Sequence, residues 1–179
     1  MKRKLIILRL MFCRNGHKRA EYLKKKKYFY KQGENCFLAP HNYGTEPYLI
    51  ELGNNVYIAS GVTFVNHDVV GMMFKNVDLH HRHVKRVGTI SVGDNVFIGA
   101  NATILYDVKI GNNVIIAAGS LVNKDIPDGT IYGGVPARQI GFFAEYLEKN
   151  RSYSQMVTWE DEWEFEKKKQ YQINHCWKS

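Results

Sequence analysis

The chain has 179 residues, 45% of them hydrophobic and 23% charged, with a formal net charge of +8. That length supports one domain with a sizeable core, and that balance excludes a disordered chain. Three cysteines, Cys13, Cys36 and Cys176, lie far apart, which fits neither a disulfide framework nor a paired-cysteine metal site.

The N-terminal apolar run Leu5-Ile6-Ile7-Leu8 is broken by Arg9, too short to span a bilayer, and without a small-residue cleavage site. A cytoplasmic chain without stable membrane insertion is therefore expected. Residues 14–31 read as a basic helix, with Ala20, Leu23 and Lys24 to Lys27 as good helix formers. The lysine runs at 24–27 and 167–169 bring nucleic acid to mind as a partner. Runs of this kind are usually solvated helical faces, and no nucleic-acid partner is expected.

A repeat follows. Gly33-Glu-Asn-Cys-Phe-Leu-Ala39 returns as Gly53-Asn-Asn-Val-Tyr-Ile-Ala59, Gly93-Asp-Asn-Val-Phe-Ile-Gly99 and Gly111-Asn-Asn-Val-Ile-Ile-Ala117. Within it, Val92, Ile98, Ile104, Ile110, Ile116 and Val122 stand six residues apart, and Leu52, Ile58 and Phe64 carry the same phase earlier. A period of six is neither helical nor a simple strand alternation. It suits a coil of three short flat faces, each turning one aliphatic side chain inward, with 18 residues per circuit from Gly93 to Gly111. Glycine and asparagine suit the corners because both tolerate positive φ. The helix at 14–31 would cover the open end of such a solenoid, and Cys36, in the slot of Val56, Val96 and Val114, reads as a core residue.

Gly93 follows Gly53 by 40 residues, one coil of 18 and an excess of 22, so a loop leaves the coil at about 68–88. A long loop inside a compact domain is usually functional or disordered. After Arg138 the pattern stops. Phe142, Phe143, Tyr146 and Leu147 read as an amphipathic helix, and a second helix is expected at about 158–172, with Trp159, Trp163 and Phe165. The expected organisation is a helical cap over 1–32, a repeat domain over 33–138 and a helical extension over 139–179.

From Gly33 to Arg138 the chain resembles the hexapeptide-repeat acyltransferases, and most closely their maltose, galactoside and polysaccharide O-acetyltransferase branch. The resemblance is carried by Gly44-Thr-Glu-Pro-Tyr-Leu-Ile50, Gly61-Val-Thr-Phe-Val-Asn-His-Asp68, Ile98-Gly-Ala-Asn-Ala-Thr-Ile104, Ala118-Gly-Ser120, Lys124-Asp-Ile-Pro127 and Gly134-Val-Pro-Ala-Arg138. It implies an all-β solenoid, the left-handed parallel β-helix. It also implies acetyl-CoA as co-substrate and a homotrimer, because the family's coenzyme site lies between two subunits.

Acetyl transfer from a thioester needs a base for the acceptor, a donor to the oxyanion and a grip on the coenzyme. Of seven histidines, His67 stands where the six-residue phase gives way to the loop, at the end of a rigid element, and it matches the family's catalytic position. Asp68 and Glu46 are candidates to orient its imidazole or to bind acceptor hydroxyls. The resemblance assigns the oxyanion to the Ala100 amide. Small residues, among them Ala100, Ala118 and Ser120, leave a low outer wall for a pantetheine arm. Lys124 and Arg138 suit the coenzyme phosphates, and Asn123 stands where the family often has threonine.

The expected function is acetylation of a hydroxyl on a sugar or surface-polysaccharide precursor, within polysaccharide biosynthesis and without a metal. Alternatives are N-acetylation of an aminosugar nucleotide, a carbonic-anhydrase-like zinc enzyme drawing on His80, His81 and His83, and a non-catalytic β-helix binding module.

Overall fold

The computed structural model describes residues 2–158 and 164–177. The chain divides into two compact units, Met1–Phe143 and Ala144–Ser179.

In the larger unit three parallel sheets are built from two- to four-residue strands. One stacks Lys31–Gln32, Ile50–Leu52, Ile90–Val92 and Val108–Ile110. A second stacks Phe37–Leu38, Val56–Ile58, Val96–Ile98, Val114–Ile116 and Thr130–Gly133. The third stacks Thr63–Val65, Thr103–Leu105 and Leu121–Val122. The chain visits the sheets in that order, circuit after circuit, which makes a parallel β-helix. Registers follow the six-residue phase: Leu52 pairs with Val92, Ile58 with Ile98 and Phe64 with Ile104. One circuit on, Val92 pairs with Ile110, Ile98 with Ile116 and Ile104 with Val122.

Every residue of that phase is at most 2% exposed. The core is richer than one side chain per face, however. A second inward residue stands two positions earlier, as in Ile50, Val56, Val62, Ile90, Val96, Ala102, Val108 and Val114, all buried. In the first two sheets strand alternation puts both ends of a three-residue strand inside and its middle residue outside, whereas in the third the middle residue, Phe64 or Ile104, points inward.

The corners divide the work between asparagine and glycine. Asn35, Asn55, Asn95 and Asn113, the third residue of each repeat, all adopt φ between 53° and 56°. Their amides form a ladder, Asn55 Nδ2 donating to Asn95 Oδ1 at 2.9 Å and Asn95 Nδ2 to Asn113 Oδ1 at 3.0 Å. The leading glycine serves close approach instead: a Cβ on Gly93 would stand 2.8 Å from the Gly111 carbonyl oxygen.

Two helices begin the chain, α1 (Lys2–Phe12) and α2 (Gly16–Lys25). Asn15 caps α2 by accepting from the amides of His17 and Lys18. Ala20 and Leu23 of α2 and Leu10 of α1 join the core cluster, beside the first strands. α2 is shorter than the basic stretch predicted, because Lys27 turns to φ 49° and releases Tyr28 and Phe29 into the core. Cys36 is buried as expected, and burial pushes its thiol pKa up.

The loop forms between two short strands, His67–Asp68 and Arg86–Val87, paired antiparallel, and carries the one-turn helix α3 (Val70–Phe74). At the far end, Arg138–Phe142 is a strand running antiparallel to Thr130–Gly133, where sequence periodicity gave no element. A returning edge strand has no next coil to match, so it carries no period of six.

The smaller unit holds most of α4 (Phe143–Met156) and α5 (Phe165–Trp177). The second C-terminal helix thus starts later than expected, and Trp159 and Trp163 lie outside the described residues. Among the described residues no helix is long and apolar enough to cross a membrane.

Candidate active site

The loop is pinned where it leaves the third sheet. Asn66, 1% exposed, accepts the Gly88 amide at its carbonyl at 2.8 Å and returns its side-chain Nδ2 to the Gly88 carbonyl at 3.3 Å. This fixes the backbone immediately before His67. The His67 side chain is 30% exposed and anchored along one edge of its ring.

The anchored edge is Nδ1. It lies 2.8 Å from Glu46 Oε2 and 3.1 Å from Thr45 Oγ1. The Thr45 hydroxyl donates to Glu46 Oε2, and Lys85 Nζ donates to Glu46 Oε1 at 2.8 Å. Glu46 itself is 5% exposed. Burial alone would raise its pKa, but the hydrogen bonds from Lys85, Thr45 and His67 outweigh that and hold it at about 2. An ionised carboxylate can only accept. The Nδ1 facing it therefore carries a proton, and in the neutral ring Nε2 is the acceptor.

Of the two acidic candidates for orienting His67, the structure selects Glu46. Asp68 is engaged elsewhere: it accepts the Tyr106 hydroxyl and, at 3.2 Å, the Val70 amide. The Tyr106 hydrogen bond is the main reason its carboxyl lies below the usual range. Arg86 stands 5.0 Å over the Tyr106 ring and binds Asp107 at 2.9 Å, tying the loop's return strand to the next coil.

The other histidines lie outside this arrangement. His17 Nδ1 lies 3.1 Å from the Cys36 carbonyl oxygen, and His41 Nε2 lies 3.1 Å from Arg19 NH1. His81 and His83 both bind Asp78 within the loop, at 2.9 and 3.0 Å. Among the described residues no group of three or more His, Cys, Asp or Glu side chains is arranged to hold a metal ion.

The expected coenzyme wall runs along the corner after the second sheet. Ala100 is half-buried and Ala118 exposed, and the coils pack closely there: Gly119 donates to the Ala100 carbonyl at 2.8 Å. A Cβ on Gly99 would stand 2.5 Å from the Ala118 nitrogen. Among the described residues neither the Ala100 nor the Ala118 amide has a hydrogen-bond partner. Asn123, Lys124 and Arg138 are exposed. Arg138 donates to the Ala137 carbonyl at 2.8 Å and its side chain otherwise faces outward. Ser120 needs correcting as a wall residue. It occupies the second inward slot of the third sheet, beneath Val62 and Ala102, is 1% exposed, and donates its hydroxyl to the Ala117 carbonyl at 2.7 Å.

Thr45, Lys85 and Tyr106 belong to the site and escaped sequence reading. Thr45 lies inside the motif quoted for Glu46. Lys85, 39 residues from Glu46, carried no signal of its own.

The depressed Glu46 carboxyl predicts acid sensitivity. Its folded pKa of about 2 lies below the ordinary 4.5, so its contribution to stability is complete above 4.5 and lost as pH falls from there towards 2. Glu46→Gln does not titrate. The stability gap between wild type and this variant, followed by urea unfolding, should narrow across that window; a constant gap would contradict the assignment.

The sequence profile described as bacterial transferase hexapeptide (six repeats) matches residues 89–124. Protein CapG of Staphylococcus aureus is 40% identical over 126 residues, which cover 66% of this chain and 69% of CapG. The galactoside O-acetyltransferase of Escherichia coli strain K12 is 34% identical over 120 residues, 63% of this chain and 56% of that one. Among solved structures, a maltose O-acetyltransferase from Clostridium difficile 630 aligns with a TM-score of 0.52 and 27% identity, over 70% of this chain and 74% of the other. The chain spans between 48% and 69% of the length of the first curated relatives it matches. Stacked three-sheet coils, the repeat profile and the extent of the match to CapG together place this chain in the bacterial hexapeptide-repeat transferase family.

Proposed function

We propose that the chain is an acetyl-CoA-dependent acetyltransferase acting on a hydroxyl of a sugar or surface-polysaccharide precursor, with His67 as general base. The observation that carries this reading is the buried, ionised Glu46 on His67 Nδ1, which leaves Nε2 of the neutral ring as its acceptor. The galactoside and maltose O-acetyltransferases among its relatives support a hydroxyl acceptor.

In this mechanism Nε2 takes the acceptor proton as its oxygen attacks the thioester carbonyl. The tetrahedral oxyanion is received by the unpaired Ala100 amide, whose dipole is already in place. Collapse expels the thiolate of coenzyme A, which takes the proton back from His67. Glu46 holds the ring in one tautomer throughout and stabilises the transient imidazolium. No acyl-enzyme is formed.

The proposal extends to assembly and architecture. The β-helix is left-handed, the working unit is a homotrimer, and the reaction takes place in the cytoplasm. Residues 1–32 act as a cap, 33–138 as the catalytic domain and 139–179 as an extension, with Lys31–Gln32 and Arg138–Phe142 adding strands to the sheets at the two ends. Incubating the protein with acetyl-CoA and a panel of saccharides, and following release of free thiol, tests the activity. No release with any hydroxyl acceptor, but release with an amino sugar, would move the reading to N-acetylation.

Lys124 and Arg138 meet the coenzyme phosphates, with Asn123 beside them and Ala100 and Ala118 at the thioester end. Arg138→Ala should weaken coenzyme A binding in calorimetry, with a loss that shrinks as salt rises. Equal affinity in both proteins would remove Arg138 from the site.

A further inference from the structure

α1 is apolar on two opposite sides. At 3.6 residues per turn, Ile6 and Leu10 fall on one side, and Leu5, Leu8, Met11 and Phe12 fall within an arc of about 120° on the other, which Lys4 also shares at its N-terminal end. The first side is accounted for: Leu10 is 0% exposed and Ile6 packs on the core. The second is not. Leu5 is 60% exposed, Leu8 52%, Met11 63% and Phe12 82%. A chain of this size has no need to leave four large side chains together in water on one helix.

The charge around this face is one-sided. The first 20 residues hold seven basic side chains, Lys2, Arg3, Lys4, Arg9, Arg14, Lys18 and Arg19, and no acidic one. Arg19 is used internally, against the Leu38 and Cys13 carbonyls, whereas Arg14 and Lys18 are exposed. A second copy offering the same face across a two-fold axis would bring like charges together. An apolar stripe in a segment that carries basic residues and no acidic one fits a negatively charged lipid surface, with the helix lying in the headgroup region and the cations among the phosphates.

We infer that α1 is an interfacial helix that docks the protein on an anionic lipid surface through Leu5, Leu8, Met11 and Phe12. The helix lies on the surface and does not cross it, consistent with its 11 residues.

The test is co-sedimentation of the full chain with vesicles of phosphatidylcholine containing phosphatidylglycerol, against vesicles of phosphatidylcholine alone. The wild type should bind the anionic vesicles at least about tenfold more tightly, and the Leu8→Asp/Phe12→Asp variant should lose about tenfold or more of that binding. Both side chains are more than half exposed, so the melting temperature should stay where it is. An Arg14→Glu/Lys18→Glu variant, changed at two exposed positions outside α1, keeps the apolar face and should lose the preference for anionic lipid, as added salt should in the wild type. Equal binding to both lipids, or full retention by the Leu8→Asp/Phe12→Asp variant, overturns the inference. A drop in that variant's mass by light scattering also overturns it, because the face would then be a contact between subunits. None of these readouts depends on acetyl transfer.

Discussion

Replacing His67 by alanine is expected to lower turnover by about two to four orders of magnitude, the range for a lost general base. Coenzyme A affinity should be nearly unchanged, because the imidazole acts on the acceptor and not on the thioester donor. The geometry sharpens the comparison with the other histidines. His81 and His83 are bound to Asp78 within the loop, and among the described residues no hydrogen bond connects them to Glu46. Alanine at 80, 81 or 83 should therefore cost far less. Rapid-quench measurement of acetyl transfer, alongside calorimetry with coenzyme A, separates the two effects. Near-normal turnover in His67→Ala, together with an essential loop histidine, would transfer the role of base to the loop.

The second large effect is on folding. Ile104→Asp should destabilise the protein by about 4 kcal/mol or more, since it would bury a carboxylate with no partner. Ile104 is 0% exposed and lies between Phe64 and Val122 in the third sheet, so the new charge would sit between two apolar layers of the stack. Total stabilities are typically only about 5–15 kcal/mol, so the variant should be largely unfolded or recovered as aggregate. Ile104→Val, which removes one methylene at the same place, should cost about 1 kcal/mol and keep the fold. Wild-type melting behaviour in Ile104→Asp would mean that this face is not a core.

The same residues explain why so much of the fold was readable. A solenoid repeats one local problem, so the solution is written several times in the chain: Val92, Ile98, Ile104, Ile110, Ile116 and Val122 are one inward position sampled six times. The corner asparagines were legible for the same reason, and all four repeats place them at positive φ. Ser120 misled because the second inward position accepts small or polar residues. Beside Ala102 and Val62 its burial follows from register, whereas its sequence neighbourhood suggests an open wall. The strand Arg138–Phe142 went unseen because it pairs backwards on an edge and repeats nothing.

At the site, the sequence by itself determined which residue stands at the end of the third sheet before the loop, His67, and narrowed its acidic partner to Glu46 or Asp68. Only the tertiary structure decided between them. The deciding contacts join positions 21, 39 and 38 residues apart: Glu46 with His67, Lys85 with Glu46, and Tyr106 with Asp68. Periodicity reports what each residue does relative to its own coil, inward, outward or corner. Whether a carboxylate is buried, which cation neutralises it and which ring nitrogen it holds depend on where a loop re-enters the stack, and no local pattern in the chain encodes that closure.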